Sequence, residues 1–392
     1  MASLSHLTVL SLEQATILPY LTLHLAQEGM RVIRVENPPR GDPNRWIGAP
    51  VLNEEGMNAY FLPNNAGKES ITLNLASAEG KEILHALIKR LPVDIFATNQ
   101  RPKDYAKLGI DYAGLRTLNP GLIWVGITGF GPQSNEAAYD PVVQARAGWM
   151  DLTGERDGAP LVFGLPMVDL GAGEQAYGQV MRALYVREHT GQGSRVDISM
   201  WRSAVSWMVS PVMLTKTFGE RITRRGNTHQ FFAPVSVYPT RDGHIYLAVG
   251  NDRQWESLVS TREFAALARE EYRRNAGRMA ALAEVNRAIA EITRTRAAQE
   301  WVDFFRALGV PVSRVNTLRE LVDDQAVSGE MITARDPRTG TVIHLPAPVV
   351  PTDFLRASQL TMKFPPRLGE DNEKILGGLG YDVARLAERG II

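Results

Sequence analysis

Asp169 is the acidic residue whose setting most invites chemistry. It stands in the run Gly164-Leu165-Pro166-Met167-Val168-Asp169-Leu170-Gly171-Ala172-Gly173, among small and apolar side chains. The flanking glycines would let a large ligand come close to the backbone. Covalent catalysis by the carboxylate is one reading. A helix cap is the other, because an aspartate just ahead of a helix accepts hydrogen bonds from its first N–H groups. Local spacing favours the cap and does not decide between the two roles.

Several other chemistries are absent from the pattern. The sequence has no Gly-x-Ser-x-Gly element at a strand-to-helix turn, no His-Glu-x-x-His, no phosphate-cradling P-loop and no glycine fingerprint of a dinucleotide fold. The seven histidines (His6, His24, His85, His189, His229, His244 and His344) are scattered without metal-ligand spacing, so no metal site is expected. There is no cysteine, hence no disulfide, no thiolate nucleophile and no Cys-ligated metal.

The elements around Asp169 read as an α/β chain. Leu7 to Leu12 is a short apolar run, and Pro19 to Gly29 carries apolar residues at helical spacing until Gly29 stops it. Arg31 to Glu36 reads as a strand. A β-α-β stretch follows, with strand Ser70 to Leu75, helix Ala78 to Arg90 and strand Val93 to Ala97, which indicates a parallel sheet. Leu122 to Thr128 is apolar throughout and short enough for a buried strand, ended by Gly129, Gly131 and Pro132. Helical spacing returns from Gly173 to Arg187, and Arg195 to Ser199 resumes as a strand. Asp169 is therefore expected just before a helix, and a site at the carboxyl end of the strand Leu122 to Thr128 would be ordinary for an open α/β sheet.

The composition shifts near Ile222. A hairpin is expected around Arg241-Asp242-Gly243, followed by polar helices from Glu263 to Leu308, and a second hairpin around Arg338-Thr339-Gly340. The expected organisation is a large domain over residues 1–221, a smaller α+β unit over 222–320, and a return to the large domain over 321–392. At 392 residues, two structural units are the ordinary outcome. Lys+Arg and Asp+Glu both number 43, so there is no overall basic field for nucleic acid. Met1 to Leu12 lacks the basic and apolar regions of a secretion signal, and no stretch approaches the roughly 20 apolar residues of a membrane span. A cytoplasmic protein is expected.

A collinear set of short motifs runs through the chain: Val32-Ile33-Arg34-Val35-Glu36 with Gly41-Asp42 and Arg45, Asn65 to Ile71 around Lys68, Asn99 with Pro102 and Leu108-Gly109, and Gly129-Phe130-Gly131. Tyr139-Asp140 with Gln144-Ala145 comes next, then Asp169, Thr190-Gly191-Gln192-Gly193 with Val196-Asp197, Arg225-Gly226-Asn227 and Pro366-Arg367-Leu368-Gly369-Glu370. In this order they make the chain resemble the class III coenzyme A-transferase family over nearly its whole length. That family includes formyl-CoA transferase, carnitine CoA-transferase and heteromeric members acting on benzylsuccinate, and it shares its fold with α-methylacyl-CoA racemase.

The resemblance implies that Asp169 attacks an acyl-CoA thioester and passes through an aspartyl-acyl anhydride and an aspartyl-CoA thioester before an acceptor acid collects the CoA. The helix end behind it would keep it ionised. By position, the resemblance carries CoA contacts to Arg45, Lys68, Asn99, Lys107 and Tyr139. CoA enters as part of the substrate, with no permanently bound cofactor and no metal. The partners it implies are an acyl-CoA such as succinyl-CoA, a carboxylic acid, and a second subunit, identical or related. The architecture it implies is a doubly wound parallel-sheet domain with the smaller α+β domain inserted, in two interlinked rings.

Two further readings share the pattern. A racemase or epimerase of this fold would need two bases, typically His and Asp, to move an α-proton; the corresponding position here is Tyr139-Asp140, which favours transfer. A silent subunit of a heteromeric enzyme would be expected to lack the nucleophile, and Asp169 is present. The sequence departs from the family at Thr16-Ile17-Leu18-Pro19, where Ala-Gly-Pro is usual and formyl-CoA transferase has a preceding Gln, so a formyl or oxalate role is not expected. The run of four glycines of formyl-CoA transferase is also missing. In its place, Phe231-Phe232 follow Arg225 to Gln230, either lining an acyl pocket or packing in the core.

Overall fold

The computed structural model describes residues 4–392. The chain divides into two compact units: Met1–Ala147, Phe163–Thr217 and Gly329–Ile392 form the first, and Gly148–Val162 with Phe218–Ser328 form the second. Gly148–Val162, read from sequence as part of the 1–221 domain, goes with the second unit because its backbone is bonded there. Arg224 N donates to Asp151 O at 2.8 Å and Gly226 N to Gly154 O at 2.8 Å.

The first unit is built on six parallel strands: β1 (Thr8–Leu12), β2 (Arg31–Glu36), β3 (Lys68–Thr72), β4 (Val93–Thr98), β5 (Ile123–Thr128) and β6 (Arg195–Ser199). They lie in the order β3-β2-β1-β4-β5-β6. The chain thus winds outward in both directions from β1 and β4, which leaves a crevice at their carboxyl ends. Every residue of β1 and β5 is buried, as a central strand covered on both faces requires. One face packs Leu10, Ile33, Ile71, Phe96 and Trp124 against Ile83, Leu84 and Leu87 of the helix Ala78–Arg90. That helix is capped as its sequence dictates, with Ser77 Oγ accepting from Gly80 N at 2.9 Å and Lys89 and Arg90 in the last turn.

Two elements begin earlier than the apolar pattern indicates. β3 starts at Lys68 instead of Ser70, since Lys68 pairs with Val32 in register and its charge is neutralised inside the protein. The helix carrying Asp169 runs Met167–Thr190, through glycines that would ordinarily weaken it. Those glycines serve packing. A Cβ on Gly173 would come within 2.7 Å of the Tyr20 ring on the helix Ile17–Gln27, and one on Gly171 within 3.0 Å of Trp207. Gly171 and Gly173 thus admit neighbouring side chains to the helix, whereas Gly164, ahead of it, has open space beside it.

The C-terminal segment closes the β3 edge of the sheet. Ser70 N donates to Asp371 Oδ2 and Thr72 N to Asn372 Oδ1, both at 2.9 Å. A separate sheet of β10 (Ile332–Arg335), β11 (Val342–Leu345) and β12 (Thr361–Lys363), ordered β11-β10-β12, belongs to the same unit. The second unit holds an antiparallel sheet, β7 (Val235–Pro239), β8 (His244–Ala248) and β9 (Val312–Arg314). It packs on helices through a core that includes Tyr238, Trp255, Phe264, Trp301 and Phe305. No helix among the described residues is long and apolar enough to cross a membrane.

Candidate active site

The crevice predicted by the strand order is formed by the loops that leave β1, β4 and β5. A cavity of about 370 Å³ opens there, lined among others by Thr16, Asn99, Arg101, Tyr139 and Asp169. Asn99 stitches two of the loops together: its Oδ1 accepts from Gln14 N at 3.1 Å and its Nδ2 donates to Gln14 O at 2.8 Å. The next residue, Ala15, has φ +62°, a left-handed conformation that costs an alanine about 1 kcal/mol or more. It is held there from both sides. Ala15 N donates to Asp42 Oδ1 at 3.0 Å, and Asn44 Nδ2 donates to Ala15 O at 2.8 Å.

Asp42 belongs to a buried network of three cations and three carboxylates that supports this loop. Lys68 Nζ lies 2.8 Å from Glu13 Oε1, and Arg34 Nη2 lies 3.0 Å from Asp42 Oδ2. Arg45 grips Glu36 with two bonds, Nη2 to Oε1 at 2.6 Å and Nε to Oε2 at 2.8 Å. Such planar two-bond pairing is the strongest form an ion pair takes. Burial alone would raise the Glu36 carboxyl, but Arg34 and Arg45 bring it down to about 2. Burial pushes the Lys68 ammonium down to about 8 against the opposing pull of Glu13.

The network reassigns two residues. Arg45 and Lys68, expected from the resemblance to touch CoA, have 0% and 1% of their surface exposed and spend their donors on Glu36 and Glu13. They shape the cavity wall from behind it. Lys107 is exposed on the short helix Tyr105–Leu108, outside the cavity lining. The structure therefore brings together Asp169, Asn99 and Tyr139, the last of these 72% exposed. Gln14 and Ala15 were not singled out from sequence; their part depends on the hydrogen bonds of Asn99, Asp42 and Asn44, which lie far away along the chain.

Asp169 is not ahead of the helix but third in it, and it is not the cap. Asp140, first residue of the helix Asp140–Arg146, takes that role from a distance. Its Oδ2 accepts from Val168 N at 2.7 Å and from Asp169 N at 3.1 Å, two of the N–H groups that a helix start leaves unpaired. The other oxygen, Oδ1, accepts from Gln144 Nε2 at 2.5 Å, and Gln144 Oε1 in turn accepts from Phe163 N at 3.0 Å. The carboxylate of Asp169 takes up no hydrogen bond among the described residues.

The charge of Asp169 follows from that geometry. Burial, and after it the nearby Asp140 carboxylate, push the Asp169 carboxyl up to about 7. This corrects the expectation that the helix end keeps Asp169 ionised: the helix end is occupied by Asp140. Near neutral pH a fraction of Asp169 is a carboxylate with little hydrogen bonding to blunt it, placed at a cavity wall. Such a group can attack an electrophilic carbon or take a proton.

Comparison with known proteins identifies the family. A family model described as CoA-transferase family III matches residues 4–372. The chain is 32% identical over 388 residues to a protein of Agrobacterium fabrum named succinate–glutarate CoA-transferase, covering 96% of this chain and 95% of the relative. It is 30% identical over 403 residues to the succinyl-CoA:glutarate CoA-transferase of Mus musculus, covering 100% of this chain and 91% of the relative. A solved structure of a CAIB/BAIF family protein from Brucella suis superposes with a TM-score of 0.81 at 28% identity, over 95% of this chain and 98% of that one. With a family model spanning nearly all of its length and relatives named for the same activity, the chain belongs to CoA-transferase family III and is a CoA-transferase.

Proposed function

We propose that this enzyme moves CoA from succinyl-CoA, or another acyl-CoA of moderate size, to a carboxylic acid acceptor, with Asp169 as the covalent nucleophile. The observation that carries the reading is the Asp169 carboxylate, free of hydrogen bonds on the wall of the cavity at the strand crevice. An Asp169 oxygen attacks the thioester carbon, the C–S bond breaks, and CoA leaves as a thiolate with a mixed anhydride left behind. The thiolate then attacks the carbonyl carbon of Asp169, giving an aspartyl-CoA thioester and releasing the donor acid. The acceptor carboxylate repeats the two steps in reverse. Every exchange is redox-neutral and, once Asp169 is ionised, needs no further proton removed.

Relatives named for succinate, glutarate and mesaconate support a dicarboxylic acid as acceptor. A racemase reading gains no support from the cavity, since among the described residues no histidine lines it and Tyr139-Asp140 stands at the position in question. To test the transfer reading, the enzyme is incubated with succinyl-CoA alone and then treated with hydroxylamine or borohydride. The peptide containing Asp169 is expected to carry the mass change of a side-chain hydroxamate after hydroxylamine, or of the reduced alcohol after borohydride. Unmodified peptide, together with transfer to glutarate that persists in Asp169→Ala, would refute covalent catalysis at this residue.

The reading includes two interlinked subunits. Exposed apolar side chains at Tyr185, Val209, Val212 and Met213, and a groove of about 800 Å³ beside the edge strand β6, are surfaces of the kind a partner covers. Size-exclusion chromatography with light scattering is expected to return twice the mass of one chain. A monomer at micromolar concentration would rule the linked rings out.

A further inference from the structure

The transfer reading assigns no task to the most heavily bonded carboxylate beside the nucleophile. We propose that Asp140 is a positioning residue for the reaction. By occupying the N–H groups at the start of the helix Met167–Thr190, it fixes the direction of Asp169 and denies the nucleophile those donors. This inference rests on Asp169 being the nucleophile.

The geometry makes the two carboxylates competitors for one set of donors. A helix start offers unpaired N–H groups and a partial positive charge to whatever anion reaches it. Asp169, in the first turn, is well placed to fold back toward them. Asp140 arrives there first, because it is anchored independently: it is 5% exposed, it begins its own helix, and its second oxygen is held by Gln144, which is 1% exposed. Gln144 is fixed in turn by the N–H of Phe163, so the chain of bonds ties the loop that enters the long helix to the helix that carries Asp140. A carboxylate relieved of hydrogen bonds holds its electron pair less tightly and attacks more readily.

Asp140 also acts through its charge, and the other charged groups described around the cavity are engaged elsewhere or lie outside its lining. Arg101 pairs with Asp104 at 3.7 Å, Glu136 pairs with Arg146, and Tyr139 is exposed. On the packed helices, Glu174 is engaged by Tyr20 at 2.8 Å and by His24 at 3.3 Å, and Arg202 lies outside the cavity lining. Among the described residues, burial comes first and the Asp140 carboxylate second in raising the Asp169 carboxyl.

Two substitutions separate the effects. Asp140→Asn keeps an oxygen for the helix N–H groups and loses the charge, so the acid limb of kcat/KM is expected to move to lower pH by at least about half a unit while plateau kcat stays within about fivefold. Asp140→Ala releases the donors to Asp169. It is expected to lower kcat by about 10- to 100-fold, with KM for succinyl-CoA within about threefold and the acid limb again moved down. If both variants keep the wild-type acid limb and kcat, Asp140 has no such role. Should either variant fail to fold, Gln144→Leu decides the matter, since it leaves Asp140 charged but unanchored; an unchanged kcat and pH profile in that folded variant would overturn the proposal. These outcomes are distinct from failure of the transfer reading itself, which shows as activity without Asp169 or as no trapped adduct in the wild type.

Discussion

An Asp169→Asn variant is expected to lose at least about a thousandfold in kcat for transfer between succinyl-CoA and glutarate, because the group proposed to form both covalent intermediates is gone. The amide is nearly the same size and fits the same first turn of the helix, so binding of the CoA ester should change little. The loss then appears in kcat and not in KM. In the wild type, the reactive form is the anion and its carboxyl sits near 7, so kcat/KM is expected to rise with pH through about 7 and level off above it.

The same substitution should make the protein more stable where the wild type carries the charge. Asp169 has a folded-state value of about 7 against an ordinary 3.8, so the unfolded chain gives up this proton first as pH rises. Stability from this group is complete below about pH 4 and is lost progressively as pH climbs through 7, by at most about 4 kcal/mol. Urea midpoints of Asp169→Asn and wild type are expected to coincide near pH 4 and to separate, with the variant higher, near pH 8. A variant that unfolds at the wild-type midpoint at both pH values would mean that Asp169 is not strained by its burial. Retained transfer activity would remove it as the nucleophile.

The second large effect is expected at Lys68. Replacing it by Met leaves Glu13 buried, with its closest cation gone; removing one partner of a buried ion pair typically costs about 3–5 kcal/mol. Arg45→Met should behave similarly through Glu36. Because Glu13 immediately precedes Gln14 and Ala15, the loss should also loosen the cavity wall and raise KM, while Asp169 still forms its adduct. The double variant Lys68→Met/Glu13→Gln is expected to recover a large part of the stability, since no unpaired charge remains. A role in gripping CoA phosphates makes the opposite forecast: raised KM with an unchanged unfolding midpoint. Urea titration of the four proteins in the cycle distinguishes the two.

Motif order in the sequence located the family and singled out Asp169, yet it misread what surrounds that residue. Lys68 and Arg45 looked like ligand contacts because the family resemblance carried CoA contacts to their positions. Their partners decide otherwise, and Glu13 is 55 residues from Lys68 in the chain. The glycines around Asp169 looked like room for a ligand, whereas at Gly171 and Gly173 that room is filled by Trp207 and Tyr20. The start of the helix at Met167 was hidden for a related reason: helix propensity falls at each glycine, and the packing that offsets it involves residues far along the chain.

Asp140 shows the same division. In the sequence it counted as the residue after Tyr139, useful for weighing a racemase; in the structure it caps a helix 28 residues away. Periodicity and short apolar runs determined the strands, the main helices and the crevice where chemistry would sit, because those depend on local spacing and on which faces must be buried. Tertiary structure alone decided which charges are paired, which carboxylate holds the helix end and which is left exposed to react. Those outcomes depend on desolvation and on donors brought together from distant segments, and neither is a property of a residue and its neighbours in sequence.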